Sequence, residues 1–151
     1  MMRIVIIGAL ALLLTGCGSD DLSRGFGLYN NSDSPISYCM PWRYGVFYPD
    51  TILPENNPHP HTFNKEYHFS FGEGRFHENA LFETFPTDTM SIFFFDPDTL
   101  EKYDWATIRE EYKVLVRYDL SHNDLKKLNW CIVFPPTKEM KDIPMYPPYG
   151  Q

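Results

Sequence analysis

The alternation of apolar and polar residues predicts a domain built mainly from short strands. Residues 90–95 form a nearly continuous apolar run, which indicates a central strand covered on both faces. The cluster of Asn, Ser, Asp and Pro at 30–35 is typical of a turn and predicts that the strands on either side of it pair as a hairpin. The predicted strands are residues 26–29, 36–40, 67–71, 90–95, 114–118 and 130–134.

Two short helices are predicted near the C-terminal strands. Asp104 can cap a helix that runs to Glu111, and apolar residues follow it at helical spacing. Ser121 and Asp124 form a capping-box pair, with Asp in place of the usual Glu, that opens a helix through Leu128. The sequence therefore predicts a mainly β fold, a single sandwich-like domain with two short C-terminal helices.

The N-terminus has the pattern of an export signal. Arg3 is its one charged residue, and an apolar run follows at 4–14, broken only by Gly8. The run is too short to span a bilayer comfortably. A buried core helix would carry polar residues on its outer face, and this run has none.

The leader ends in Leu14-Thr15-Gly16-Cys17, which resembles the lipobox of bacterial lipoproteins. The resemblance implies cleavage before Cys17 and attachment of lipid to that cysteine. Each buried methylene contributes about 0.8 kcal/mol, and one acyl chain binds only marginally, so the two or three chains of a lipoprotein give a lasting anchor. The membrane is thus the first expected partner.

The residues after Cys17 indicate which membrane carries the lipid anchor. Gly18, in place of Asp, is similar to the pattern that permits transfer to an outer membrane. Ser19-Asp20-Asp21 looks like the short signal that sends lipoproteins of the Bacteroides group to the cell surface; the alternative is an acidic, flexible tether. We therefore expect an outer-membrane lipid anchor on either the periplasmic or the surface face.

These signals divide the chain into four predicted parts. Residues 1–16 are the signal peptide and 17–25 a lipidated flexible tether. Residues 26–136 form the β-rich globular domain, and 137–151 form a Pro-rich tail.

Charge and composition narrow the function classes. Loss of the leader removes Arg3 and takes the formal charge from −7 to −8, which disfavours binding to nucleic-acid phosphates. The aromatic content of 17% and the 13 prolines favour strands joined by rigid turns over long helices. We expect no nucleic-acid partner.

The cysteines that remain after lipidation form an even pair. Cys39 and Cys131 would lie in an oxidising compartment, where a disulfide can form between them. The alternative is two small buried apolar residues, because free cysteine is among the most buried residue types.

Four stretches of the mature chain carry a family resemblance. They are Tyr48-Pro49-Asp50-Thr51, Asp88-Thr89-Met90-Ser91-Ile92-Phe93, Arg117-Tyr118-Asp119-Leu120-Ser121 and Leu128-Asn129-Trp130. The chain resembles small lipoproteins of the Bacteroides group, which have no assigned activity. The resemblance implies an envelope location and says nothing about chemistry.

The same resemblance suggests a modification. Thr51, Thr89 and Thr99 each follow Asp and precede an apolar residue, a pattern similar to O-glycosylation sites of these bacteria. An exposed turn can accept a bulky glycan. The alternative is that Asp-Thr before an apolar residue marks a turn that enters a strand.

The candidate metal-binding and catalytic residues lack the spacing that is typical of such sites. His59 and His61 could point the same way from an extended segment, but a third ligand at close spacing is missing, and a Pro-rich loop explains them better. No spacing pairs two carboxylates, and Ser70 and Ser91 lack the Gly-x-Ser-x-Gly turn of a nucleophile. We expect no metal, no cofactor and no catalytic residue.

An aromatic cluster is the best candidate for recognition. If this cluster is exposed, it could bind a glycan or an envelope protein through Trp42, Arg43 and Tyr44. The alternative is that Trp42 is a core residue. The sequence thus favours an envelope-anchored, non-catalytic binding or structural module. The alternative is a small envelope hydrolase whose site the sequence does not reveal.

Overall fold

The computed structural model describes residues 25–70 and 82–151, and the leader and residues 17–24 of the tether lie outside these ranges. The strands are β1 (Gly25–Asn30), β2 (Ile36–Cys39), β3 (His61–Phe63), β4 (Glu66–Ser70), β5 (Thr89–Phe95), β6 (Val116–Ser121), β7 (Cys131–Phe134) and β8 (Met145–Tyr146). The α-helices are α1 (Pro97–Lys102), α2 (Trp105–Glu110) and α3 (His122–Lys127), and single 3₁₀ turns span Pro41–Tyr44 and Lys138–Met140.

The strands form two sheets that pack face to face. One sheet has the order β4-β1-β7, and the other has the order β3-β2-β5-β6-β8. Neighbouring strands are antiparallel, apart from the parallel pair β1 and β7. The prediction of a mainly β, sandwich-like domain is confirmed.

The inner core lies between the two sheets. Its residues recur at every second position of a strand, because successive side chains point to opposite faces of a sheet. In β5 the side chains of Met90, Ile92 and Phe94 face this core, together with Phe26 and others from the opposite sheet. Full burial of each such side chain contributes about 1.5–3 kcal/mol.

The other face of the five-stranded sheet is also covered, by α1 and α2. Phe93 and Phe95 of β5 pack here with Cys39 of β2 and with Trp105 and Ile108 of α2. β5 is therefore buried on both faces, as its continuous apolar run predicted. The molecule has three layers: the small sheet, the large sheet and a helical layer.

The hairpin predicted between β1 and β2 is wrong. β1 pairs with β4 and β7, whereas β2 pairs with β3 and β5. The segment between them crosses from one sheet to the other, and buried Asn30 holds this crossing. Its amide nitrogen donates to the backbone oxygens of Ser34 (2.7 Å) and Asn64 (2.8 Å).

Among the described residues, the structure contains an α-helix, α1, beyond the two that the sequence predicted. Asp104 and Ser121 cap α2 and α3 as expected, and Ser121 forms the complete capping box with Asp124. The additional helix, α1, begins at Pro97 with Asp96 as its cap. Proline is favoured at the first helical position, because its missing N–H needs no partner there.

The Pro-rich segment at 137–151 belongs in part to the domain. Met140 is fully buried and Ile143 is 7% exposed in the inner core, and β8 pairs with β6. The globular domain therefore extends beyond the predicted boundary at residue 136.

Candidate functional site

A cleft of about 850 Å³ lies in the helical layer, between the loop at 51–57 and helix α2. We call it the α2 cleft. Its volume is within the range of about 300–1,000 Å³ that is usual for small-molecule sites. It is lined by Thr51, Ile52, Leu53, Glu55, Asn56, Asn57, Trp105, Ala106, Arg109, Glu110 and Tyr112.

Side chains of the helical layer fix the loop wall of the cleft by donating to its backbone carbonyls. The bonds run from Trp105 Nε1 to the Pro54 oxygen (2.8 Å), from Arg109 Nε to the Leu53 oxygen (3.0 Å) and from the Tyr112 hydroxyl to the Thr51 oxygen (3.0 Å). Leu53 is itself buried to 1% exposure in the helical layer. The loop is thus held at three backbone positions and by one buried side chain.

A buried polar network supports this wall from beneath. Asp119, whose side chain is 3% exposed, accepts from Ser91 Oγ (2.6 Å) and pairs with Arg117 (Nη2 to Oδ2, 3.0 Å). Arg117 Nη1 in turn donates to the Tyr112 hydroxyl at 2.7 Å. Burial raises the pKa of Tyr112, and Arg117 opposes this effect only in part. Tyr112 therefore stays protonated and can donate to Thr51.

Several polar groups of the α2 cleft remain open to a ligand. Within residues 25–70 and 82–151, no side chain or backbone group bonds the Nη atoms of Arg109 or the side chains of Glu55, Asn56 and Glu110. Asn57 uses its oxygen to accept from the His59 N–H, which leaves its amide N–H₂ available. The cleft therefore offers guanidinium and amide donors beside carboxylate acceptors.

A smaller cavity of about 290 Å³ adjoins the α2 cleft. The two share Asn57 and Trp105 in their walls. The smaller cavity lies between the loop and α1 and is lined by Asn57, His59, Pro60, Thr62, Pro97, Leu100, Glu101, Tyr103, Trp105 and Ile108. We call the two cavities together the loop groove.

The predicted recognition cluster at 42–44 does not line the loop groove. Trp42 is half-buried against the inner core, with its ring centroid 5.7 Å from that of Phe85. Arg43 is exposed, and Tyr44 is 49% exposed. The Tyr44 hydroxyl donates to the Pro58 backbone oxygen (2.8 Å), so this residue fixes the chain at Pro58, just after the loop.

The three threonines proposed for O-glycosylation lie in different settings. Thr51 is in the loop beside the α2 cleft, next to Ile52, which is 50% exposed. Thr89 opens β5 opposite Ser121. Thr99 lies in α1, where its hydroxyl donates to Asp96 at 3.1 Å. Of these positions, Thr51 is the one in an open loop.

The structure contradicts a Cys39–Cys131 disulfide. Cys39 is a free, buried thiol in the helical layer, on the outer face of the large sheet. Cys131 alternates with Ile132, which faces the inner core, so its side chain points away from that core on the small sheet. The two sulfurs thus lie on opposite outer faces of the sandwich.

Burial also makes the Cys39 thiol unreactive. Removal from water raises the pKa of its thiol to about 12, and nearby Arg43 lowers it only in part. Because the thiolate is the reactive form, this residue is unsuited to a nucleophilic role.

His59 and His61 have different surroundings in the structure. His59 has a left-handed backbone (φ 49°) and lines the smaller cavity. His61 lies in β3 and has its ring centroid 4.8 Å from that of Tyr67. In the described part of the chain, no group of three His, Cys, Asp or Glu residues could hold a metal ion.

Apart from Thr51, which the sequence suggested only as a site of modification, sequence reasoning did not identify the residues of the α2 cleft. Glu55 and Asn56 come from a Pro-bounded polar loop, whereas Arg109 and Glu110 come from a helix about fifty residues later. The polar run Glu55-Asn56-Asn57 between two prolines was the one local signal, since such a segment is typical of a rigid exposed loop.

No helix in the described ranges is long and apolar enough to cross a membrane. Comparison of the chain with protein-family models, with curated proteins and with solved structures gives no match.

Proposed function

We propose that the chain is an envelope-anchored lipoprotein that binds a ligand in the α2 cleft without transforming it. The observation that carries the proposal is a cleft whose wall is fixed while its polar groups stay open. Three side chains hold the backbone of the loop, yet Arg109, Glu55, Asn56 and Glu110 keep hydrogen-bonding capacity. A site that is ordered before binding loses less entropy when the ligand arrives.

The proposed location depends on the leader. Arg3, the apolar run at 4–14 and the lipobox-like end at Cys17 support a lipid anchor, and Gly18 supports transfer to the outer membrane. The resemblance to lipoproteins of the Bacteroides group supports the same compartment, with the cell surface as one face. A membrane-tethered binding module would meet its ligand in the envelope.

Mass spectrometry of the mature chain tests the anchor. We expect a lipopeptide that begins at Cys17, and we expect Cys17→Ala to abolish both cleavage and partition into detergent. The Cys17 sulfur can form either a thioether bond to lipid or a disulfide bond, but not both. The spectra therefore also distinguish lipidation of Cys17 from its oxidation. A Cys17–Cys131 disulfide-linked peptide in place of the lipopeptide would overturn the anchor.

Capture of material from the native envelope tests the cleft. We expect the tagged full-length chain to retain a component that Arg109→Ala no longer retains, because this variant removes the open guanidinium group. Lys126→Ala, on the exposed face of α3, serves as the control and should behave as wild type. Equal retention by both variants would show that the α2 cleft does not bind the component.

A second candidate function is a small envelope hydrolase. One observation favours it: Glu55 and Glu110 line the same cleft from opposite walls, the loop and α2. Paired carboxylates can supply a general acid and a base for glycoside hydrolysis. If the captured component is cleaved on incubation, and Glu55→Gln or Glu110→Gln stops cleavage while binding persists, the hydrolase is correct and the non-catalytic proposal is wrong.

A further inference from the structure

We infer that the loop groove binds a neutral oligosaccharide long enough to occupy both of its cavities. This inference rests on the proposed binding function and names the ligand class. It starts from the adjacency of the two cavities, whose linings share Asn57 and Trp105. A ligand that fills both must be elongated, because α1 and α2 flank the loop one after the other.

The open groups of the groove suit vicinal hydroxyls. Carboxylates, amides and guanidinium are planar and can exchange two hydrogen bonds at once with a pair of neighbouring donors or acceptors. The α2 cleft presents Arg109, Asn56 and Glu110 in this way, and the smaller cavity adds Glu101. A hydroxyl both donates and accepts, so a sugar can satisfy the donors and the acceptors together.

The charge of the lining excludes most anionic ligands. Glu55, Glu110 and Glu101 contribute three carboxylates, against the single guanidinium of Arg109. Outside the lining, Lys102 and Lys113 lie over the Tyr103 ring, with Nζ 5.1 Å and 4.4 Å from its centroid, and Lys113 also pairs with Glu111. Phosphorylated or uronic acid ligands would therefore meet a net negative surface.

The α2 cleft does not match the two main ways in which proteins bind peptides. An extended peptide pairs with a strand edge, but the edge strand β3 contributes Thr62 to the smaller cavity alone, and the lining of the α2 cleft comes from a loop and from α2 with the residues after it. An amphipathic helix needs a continuous hydrophobic groove, whereas the α2 cleft places Glu55, Arg109 and Glu110 among its apolar groups. A polyhydroxylated ligand fits these walls better than either.

Binding to defined sugars tests the inference. The full-length chain in detergent is titrated calorimetrically with neutral hexasaccharides of glucose, mannose, xylose, galactose and N-acetylglucosamine, and with the matching disaccharides. We expect at least one hexasaccharide to bind, with affinity about tenfold or more above that of its disaccharide, since each tenfold step reflects about 1.4 kcal/mol of added contacts.

Variants assign the two cavities. Arg109→Ala should abolish binding of both lengths, because it removes the main donor of the larger cavity. Glu101→Gln should lower the affinity for the hexasaccharide and leave that for the disaccharide unchanged. Glu83→Gln is the matched control, since Glu83 is exposed and does not line the groove, and it should bind as wild type.

Three results would overturn the inference. Equal affinity for disaccharide and hexasaccharide would show that the cavities do not act as one groove. Tighter binding of galacturonate oligomers than of neutral ones would refute the charge argument. Retention of envelope material through Arg109, with no binding of any sugar in the panel, would exclude a neutral glycan and leave the proposed binding function standing.

Discussion

The two faces of the large sheet are covered in different ways: the inner face by the small sheet, and the outer face by the helical layer that contains the proposed binding cleft. The inner face packs against the small sheet through apolar side chains such as Ile92, Phe94 and Tyr118. The outer face carries apolar residues beside the network of Ser91, Asp119 and Arg117, which reaches toward the α2 cleft. Changes inside should therefore weaken the fold, whereas changes at the cleft surface should alter binding first.

Phe94→Ala should give the largest loss of stability. Phe94 is 1% exposed and stacks on Phe134 across the inner core. Truncation removes buried apolar area and leaves a cavity, so the free energy of unfolding should fall by about 3–5 kcal/mol. Urea denaturation measures it, with Tyr149→Ala as the comparison, because Tyr149 is 40% exposed and should cost little. Similar losses at both positions would show that the core is misplaced.

Asp119→Ala should have the next largest effect. The change leaves Arg117 without its buried carboxylate, and fully buried pairs that lose one partner cost about 3–5 kcal/mol. Because the Arg117 side chain is 16% exposed, we expect about 2–3 kcal/mol. Denaturant unfolding of Asp119→Ala, Arg117→Met and the double variant measures the coupling. If the losses simply add, the two residues do not act as a network.

Ser121→Ala should destabilise the domain by about 1 kcal/mol. Ser121 Oγ accepts from the Asp124 N–H at 3.1 Å, and Asp124 returns a bond to the Ser121 N–H. The loss should be visible as a lower urea midpoint with an unchanged slope. Ser121→Thr keeps the hydroxyl and should recover most of it. An unchanged midpoint in Ser121→Ala would contradict the cap.

Cys39 should give the smallest effect, and one that depends on pH. Its thiol pKa is raised to about 12 in the fold, so the folded state holds a proton that the unfolded chain releases above about pH 8.5. This contribution to stability is complete below that pH and is lost as the pH rises toward 12. Cys39→Ala should flatten the decline in urea midpoint between about pH 8.5 and 10. Equal slopes in both proteins would refute the burial effect.

Local signals account for what could be predicted. The apolar run of β5 and the caps at Asp104 and Ser121 each act through neighbouring residues, and all appear in the structure. The strand predicted at 114–118 lies instead at Val116–Ser121, because Val114 packs into the helical layer. That shift depends on a contact between layers, which no local pattern encodes.

The candidate site could not be predicted because distant segments build it. Arg109 and Trp105 bond carbonyls of Leu53 and Pro54, more than fifty residues earlier in the chain. The crossing at Asn30, which replaced the predicted hairpin, is likewise fixed by a bond to the backbone of Asn64. Turn composition predicts that a chain reverses and does not specify which strand it then joins.

Hydrogen exchange on ligand addition tests the division between the two faces most directly. The full-length chain is compared with and without the component captured from its envelope. Binding in the α2 cleft predicts slower exchange of backbone amides at 51–57 and 105–112 and no change in the strands of the small sheet. Protection centred on 41–44, or none in the loop and α2, would contradict the assignment of recognition to the helical layer.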